Sequence, residues 1–181
     1  MQKFIVEITE ENAALIQDSA LQCYILTSSL SQKFIASFAR QAASLGKLVL
    51  AGGADSPSLC RDFDLDGFVL DVSGSEKIKS DYERAAKIAG KDKISGLVVR
   101  NRRHEAMLAS ECEPDFIVFQ IWQEGLEKNR ELVKWYSELF LIQSAVYCRE
   151  DEVDFRSLAA DIVILNDRFY KIFVAKKQSL D

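Results

Sequence analysis

Eight strand-like segments, each followed by a helical one, predict an α/β protein built on one parallel sheet. Three observations carry this. Short runs of β-branched and aromatic residues alternate with longer stretches of helical periodicity. Several runs are apolar throughout, as at Ile162 to Leu165, which suits parallel strands covered by helices. No linker rich in Pro, Gly or Ser divides the 181 residues, so 1–181 reads as a single domain. Eight such units either close into a barrel or spread into an open doubly wound sheet. The units are short beside a typical barrel of roughly 250 residues, so short loops are expected.

The elements follow in order. Lys3 to Thr9 is the first strand, with a short amphipathic stretch after it marked by Ala14, Leu15 and Leu21. Gln22 to Thr27 is the second strand. Ser31 to Leu45 is a helix, because Phe34, Ile35, Phe38, Ala39 and Ala42 form one apolar stripe; Gly46 stops it. Lys47 to Ala51 is the third strand and ends at Gly52-Gly53. Ser56-Pro57 opens a short helix, proline being tolerated in a first turn. Asp66 to Val72 is the fourth strand. The next helix runs from Glu76 to Ala89, with Ser75 as its expected cap and Gly90 as its stop. Ile94 to Val99 is the fifth strand, with a helix from Arg103 to Glu111. Asp115 to Ile121 is the sixth. In the helix Glu127 to Phe140, Leu132, Trp135, Tyr136 and Leu139 share a face. Leu141 to Tyr147 is the seventh strand, with a short helix around Val153 to Leu158. Asp161 to Leu165 is the eighth, and a last amphipathic helix starts near Asp167.

Composition narrows the function. Hydrophobic residues make up 48% and charged residues 28%, an ordinary globular balance. The net charge of −5 argues against nucleic-acid binding, which needs a basic face. The cysteines at 23, 60, 112 and 148 are scattered without metal-ligand spacing, so a zinc site is not expected. They read as reduced thiols in or near a cytosolic core. No segment approaches the roughly 20 apolar residues of a membrane helix, and the start lacks a signal-peptide pattern. A soluble, cytoplasmic protein is expected.

Several segments resemble thiamine phosphate synthases and the related TenI-type thiazole tautomerases. Asp66-Gly67-Phe68-Val69-Leu70 is similar to that family's "ADGVHLG" strand. Glu113 to Phe119 is similar to its "gaDYigfG" strand, and Ala160 to Leu165 to its closing "aDGvAvvS" strand. Gly96 with Glu105-Ala106 matches the "iGvSvHs..EA" segment. Asn129 to Tyr136 resembles the "N-x-x-L-x-x-W-W" helix of a divergent branch. The pieces fall in family order across nearly the whole chain. The resemblance implies a compact (β/α)8 TIM barrel. It also implies a transferase that joins a pyrimidine pyrophosphate to a thiazole phosphate, with magnesium stabilising the leaving pyrophosphate.

Against that implied chemistry the chain is incomplete. Asp55 falls on the aspartate of the family's "NDR" segment and is a candidate magnesium ligand; the alternative is a plain helix-start aspartate. The second metal segment, "HLGQxD", reads Val69, Asp71, Val72 and Gly74, leaving Asp71 as a substitute ligand. A strand-five hydroxyl is replaced by Val98. The glycine pair after strand seven reads Tyr147-Cys148-Arg149, and the serine pair after strand eight reads Asn166-Asp167. Phosphate contacts are expected instead from Arg149, from Arg100, Arg102 and Arg103 with His104 beside them, and from Lys128. Each has an ordinary alternative as a solvated loop or helix-surface residue. Gly52 and Gly53 either admit a ligand to the backbone or form a tight turn. A second functional reading follows: a degenerate barrel that binds a phosphorylated small molecule or a protein partner. Trp135-Tyr136 and Phe169-Tyr170 form a dimerising patch or ordinary core.

Overall fold

The computed structural model describes residues 2–148 and 157–166, together with Arg168 and Tyr170. Eight parallel strands close into a barrel: β1 Lys3–Glu7, β2 Cys23–Thr27, β3 Leu48–Gly52, β4 Gly67–Asp71, β5 Ile94–Val99, β6 Phe116–Ile121, β7 Gln143–Cys148 and β8 Ile162–Leu165. Closure is decided where β1 pairs with β8, from Lys3 opposite Ile162 to Val6 opposite Leu165. The open doubly wound sheet is thereby excluded. Closure leaves no strand edge unpaired.

Period-two alternation divides each strand between two cores. Ile5, Ile25, Leu50, Val69, Val98 and Ile164 fill the barrel interior. Their neighbours Val6, Leu26, Val49, Leu97, Phe119 and Val163 point outward into the layer beneath the helices. That is why runs such as Leu48–Gly52 and Ile162–Leu165 are apolar throughout: both faces are covered. Gly96 sits on the inner face, and a Cβ there would lie 2.3 Å from the Phe116 ring. Any side chain at 96 would displace the largest inward residue of β6.

The helices are α1 Gln32–Ser44, α2 Ser56–Asp62, α3 Ile78–Ala89, α4 Arg103–Ser110 and α5 Leu126–Leu139. A 3-10 helix, Glu10–Gln17, replaces the first crossover helix. The Ser31 hydroxyl caps α1 by accepting from Phe34 N, and Ile35, Phe38 and Ala42 are buried as the stripe requires. Two expectations need correction. Ser75 does not cap α3, which begins at Ile78. Its hydroxyl instead accepts from Lys77 N (3.0 Å) and donates to Asp81 (2.6 Å), closing the loop before the helix. Leu139 does not share the buried face of α5 and is 66% exposed. Phe140 takes the apolar position beyond it, its ring stacked at 4.5 Å on buried Tyr136. The helix around Val153 to Leu158 and the last helix lie largely outside the described residues, as do Arg149, Asp167 and Phe169.

The N-terminal rim is closed by a repeated device. Asp66, Asp115 and Asp161 each stand just before an even-numbered strand. Each carboxylate accepts the main-chain N–H of a residue in the preceding strand: Val49 at 2.7 Å, Ser95 at 2.7 Å and Ser144 at 2.9 Å. Each aspartate N–H donates back to the same residue's carbonyl. A charged acceptor makes these bonds stronger than neutral ones. Beside this rim, buried Lys47 donates to Ile16 O, Asp18 O and the Tyr24 hydroxyl, satisfying carbonyls at the end of the 3-10 helix.

Candidate functional site

Barrels of this kind place their ligands at the C-terminal ends of the strands. Here that end holds a cavity of about 210 Å³. Its floor is apolar, made by Ile25, Val69, Val98 and Ile164. Its walls are strand ends: Glu7 from β1, Thr27 from β2, Gly52 from β3 with Gly53 just after it, Asp71 from β4 and Tyr147 from β7. The Tyr147 hydroxyl donates to Glu7 Oε2, joining residues 140 positions apart in the chain. Asp71 Oδ1 accepts from Ser73 N at 2.9 Å. Thr27 Oγ1 and Ser29 Oγ are hydrogen-bonded at 2.6 Å.

Of the residues singled out from sequence, Gly52, Gly53 and Asp71 reach this mouth. A Cβ at Gly52 would lie 2.6 Å from Ile25, so this glycine is needed for packing as well as access. Gly53 turns the chain at φ +96. Asp55 is exposed at the start of α2 and lines a neighbouring groove of about 280 Å³ with Asp71, Asp81 and Arg84. Asp55 and Asp71 are thus brought to one groove. Asp81 is held there by Arg84 at 2.7 Å and by Ser75. Among the described residues, no group of three or more His, Cys, Asp or Glu side chains is arranged to hold a metal ion.

Among the described residues that line the mouth, none comes from the basic cluster. The Arg100 guanidinium lies against Gly74, where a Cβ would be 1.9 Å from Nη2. Gly74 N donates to buried Glu105 at 2.7 Å, so the Glu105-Ala106 motif ties the loop after β4 to α4. Arg102 is the exposed residue preceding α4. Arg103 stacks its guanidinium 4.8 Å from the Trp135 ring centre. His104 and Lys128 are exposed, Lys128 in the first turn of α5. Tyr136 and Tyr170 are buried, so they belong to the chain's own core and not to a surface patch.

Sequence reading did not single out Glu7, Thr27 or Tyr147 as site residues. The signal for Glu7 was present: it shares the parity of Ile5 and ends its strand. Thiol chemistry is disfavoured. Burial pushes Cys148 up to about 12, and burial, then the Asp66 carboxylate, pushes Cys23 up to about 12. Neither supplies a thiolate near neutral pH.

No protein-family model matches the chain, and no curated protein matches it. Solved structures do. The tryptophan synthase from M. tuberculosis superposes with a TM-score of 0.66 at 9% identity, covering 91% of this chain and 82% of that one. Phosphoenolpyruvate phosphomutase from Streptomyces platensis subsp. rosaceus gives 0.65 at 10% identity, covering 99% and 81%. A native KDPGal structure gives 0.65 at 14%, covering 91% and 85%. None of these three is a thiamine phosphate synthase. The chain is therefore a compact (β/α)8 TIM barrel, an architecture it shares with enzymes. At these identities the likeness is one of fold. Among the described residues no helix is long and apolar enough to cross a membrane.

Proposed function

We propose that this barrel binds a small molecule at its C-terminal mouth and has lost the transferase chemistry that its motifs imply. The observation that supports this most is the floor. Val69 and Val98 stand where the resemblance expects a histidine and a hydroxyl, and both line the cavity as apolar groups. A group that must polarise a substrate or hold its phosphate is replaced by one that only packs. The described lining residues also include no Lys or Arg to neutralise a pyrophosphate. A cytoplasmic setting accords with four unpaired cysteines.

The test is a ligand screen read by calorimetry, run beside Thr27→Trp, which fills the mouth from its wall. Ligands lost in Thr27→Trp support the reading. Finding none whose binding depends on the mouth would end it. In parallel, the protein should form no thiamine phosphate from the pyrimidine pyrophosphate and thiazole phosphate with magnesium present.

A second reading retains the synthase-like transferase, because Asp55 and Asp71 line one groove. Magnesium is commonly bound by one or two carboxylates, with waters and substrate phosphates completing its shell. The described carboxylates do not make a complete protein site, and the chemistry depends on phosphates for which the sequence offers Arg100, Arg102, Arg103, Lys128 and Arg149. Manganese binding followed by paramagnetic resonance separates the readings. Binding weakened by both Asp55→Ala and Asp71→Ala favours the second; binding indifferent to both removes it.

A further inference from the structure

We infer that the mouth accepts a small organic cation, an ammonium or diamine carried on a short apolar body. The inference rests on the mouth being the ligand site and specifies the chemistry of what enters. Both charged residues among the described lining residues are carboxylates, Glu7 at the end of β1 and Asp71 at the end of β4. They are separated around the barrel by β2 and β3 and so stand on different walls. Each has one oxygen held, by the Tyr147 hydroxyl and by Ser73 N–H respectively, which orients the group. A carboxylate has about four acceptor positions, so each retains capacity for a donor entering the cavity.

Three alternatives fit less well. An anion would meet two like charges above an apolar, low-dielectric floor. A neutral apolar ligand would cover the carboxylates without compensating them, which is costly. A bare metal ion finds no convergent set of three donors among the described residues. An ammonium supplies both charge and N–H donors, and its methylenes match Ile25, Val69, Val98 and Ile164 below. A cavity of about 210 Å³ limits the ligand to a small molecule. Tyr147 adds an aromatic wall, a favourable surface for a cation.

The test titrates 1,4-diaminobutane, ethanolamine and tetramethylammonium against acetate and inorganic phosphate, by calorimetry and ligand-observed NMR. The proteins are the unaltered chain, Glu7→Gln, Asp71→Asn, Thr27→Trp and Thr27→Lys, each checked for an unchanged melting temperature. The two isosteric changes keep the acceptor oxygens that Tyr147 and Ser73 use. Thr27→Lys serves where Thr27→Trp folds poorly, since its ammonium competes in the mouth without filling it. The expected result is binding of at least one amine, weakened about tenfold or more by Glu7→Gln and by Asp71→Asn and lost in the Thr27 variants. A mouth-dependent ligand that is anionic or neutral, and indifferent to Glu7→Gln and Asp71→Asn, overturns the cation inference and leaves the mouth reading standing. Amine binding that survives both Thr27 changes overturns the mouth reading itself. No amine binding at concentrations up to about 10 mM also overturns the inference.

Discussion

The two rims of the barrel use carboxylates in opposite ways. At the N-terminal rim, Asp66, Asp115 and Asp161 each bind a main-chain N–H of the neighbouring strand. At the C-terminal rim, Glu7 and Asp71 line a cavity. The first set closes the sheet and is occupied by the fold itself. The second is held in place and faces the space where a ligand would sit. The difference bears directly on the motifs. All three strand motifs that resemble thiamine phosphate synthases contain one of the N-terminal aspartates. They therefore report how a barrel is closed, while the positions that would report chemistry, Val69 and Val98, are apolar.

The largest expected effect is at the N-terminal rim. Asp161→Ala leaves Ser144 N and its hydroxyl without their carboxylate acceptor, which should cost about 2–3 kcal/mol in denaturant unfolding. Asp115→Ala should behave alike through Ser95. A loss under about 0.5 kcal/mol, the size of an ordinary surface substitution, would collapse the distinction between the rims.

Alkaline titration sharpens it next. Cys23, beside the N-terminal rim, and Cys148, at the end of β7, are both raised from 9.0 to about 12. The unfolded chain therefore ionises first. Their contribution to stability is complete below pH 9 and is lost as the pH rises toward 12. Because the Asp66 carboxylate contributes to the Cys23 shift, Asp66→Asn should flatten part of that alkaline slope. Cys148→Ala should flatten a different part, and the two changes should add. Unfolding curves collected between pH 8 and pH 12, with no alkaline loss in the unaltered chain, would refute the burial of both thiols.

Smaller effects are expected at the arginines. Arg103→Ala should cost about 0.5–1 kcal/mol by uncovering Trp135, whereas Arg102→Ala should fall within about 0.5 kcal/mol of no change. Equal costs at both positions would mean that the stacking contributes nothing. Smallest of all, Glu7→Gln and Asp71→Asn should shift stability by under about 0.5 kcal/mol, in contrast to the N-terminal aspartates. A drop as large as that of Asp161→Ala would make the mouth carboxylates structural too.

Much of the fold was legible because its signals are local. The Ile94 to Val99 strand, the apolar stripe of Phe34, Ile35, Phe38 and Ala42 and the Gly90 stop each depend on neighbouring residues and on helix or strand periodicity. At Ser75 and Leu139 remote or terminal packing outbids the local rule: Glu105 holds the loop at Gly74, and Phe140 turns back onto Tyr136. The site was less legible. That Arg100 lies over Gly74 and Arg103 over Trp135 is set by the loop after β4 and by α5, contacts that no local pattern encodes.

Local patterns suffice for the eight strands, for the buried stripe of a helix such as Gln32–Ser44, and for where the strands end. Those follow from hydrophobic period and turn chemistry, which act over a few residues. That β1 meets β8, and with it that Glu7 meets Tyr147 across the mouth, is fixed by the closed barrel alone. Closure is a pairing between the two ends of the chain, and no local pattern encodes which side chains it will set facing one another.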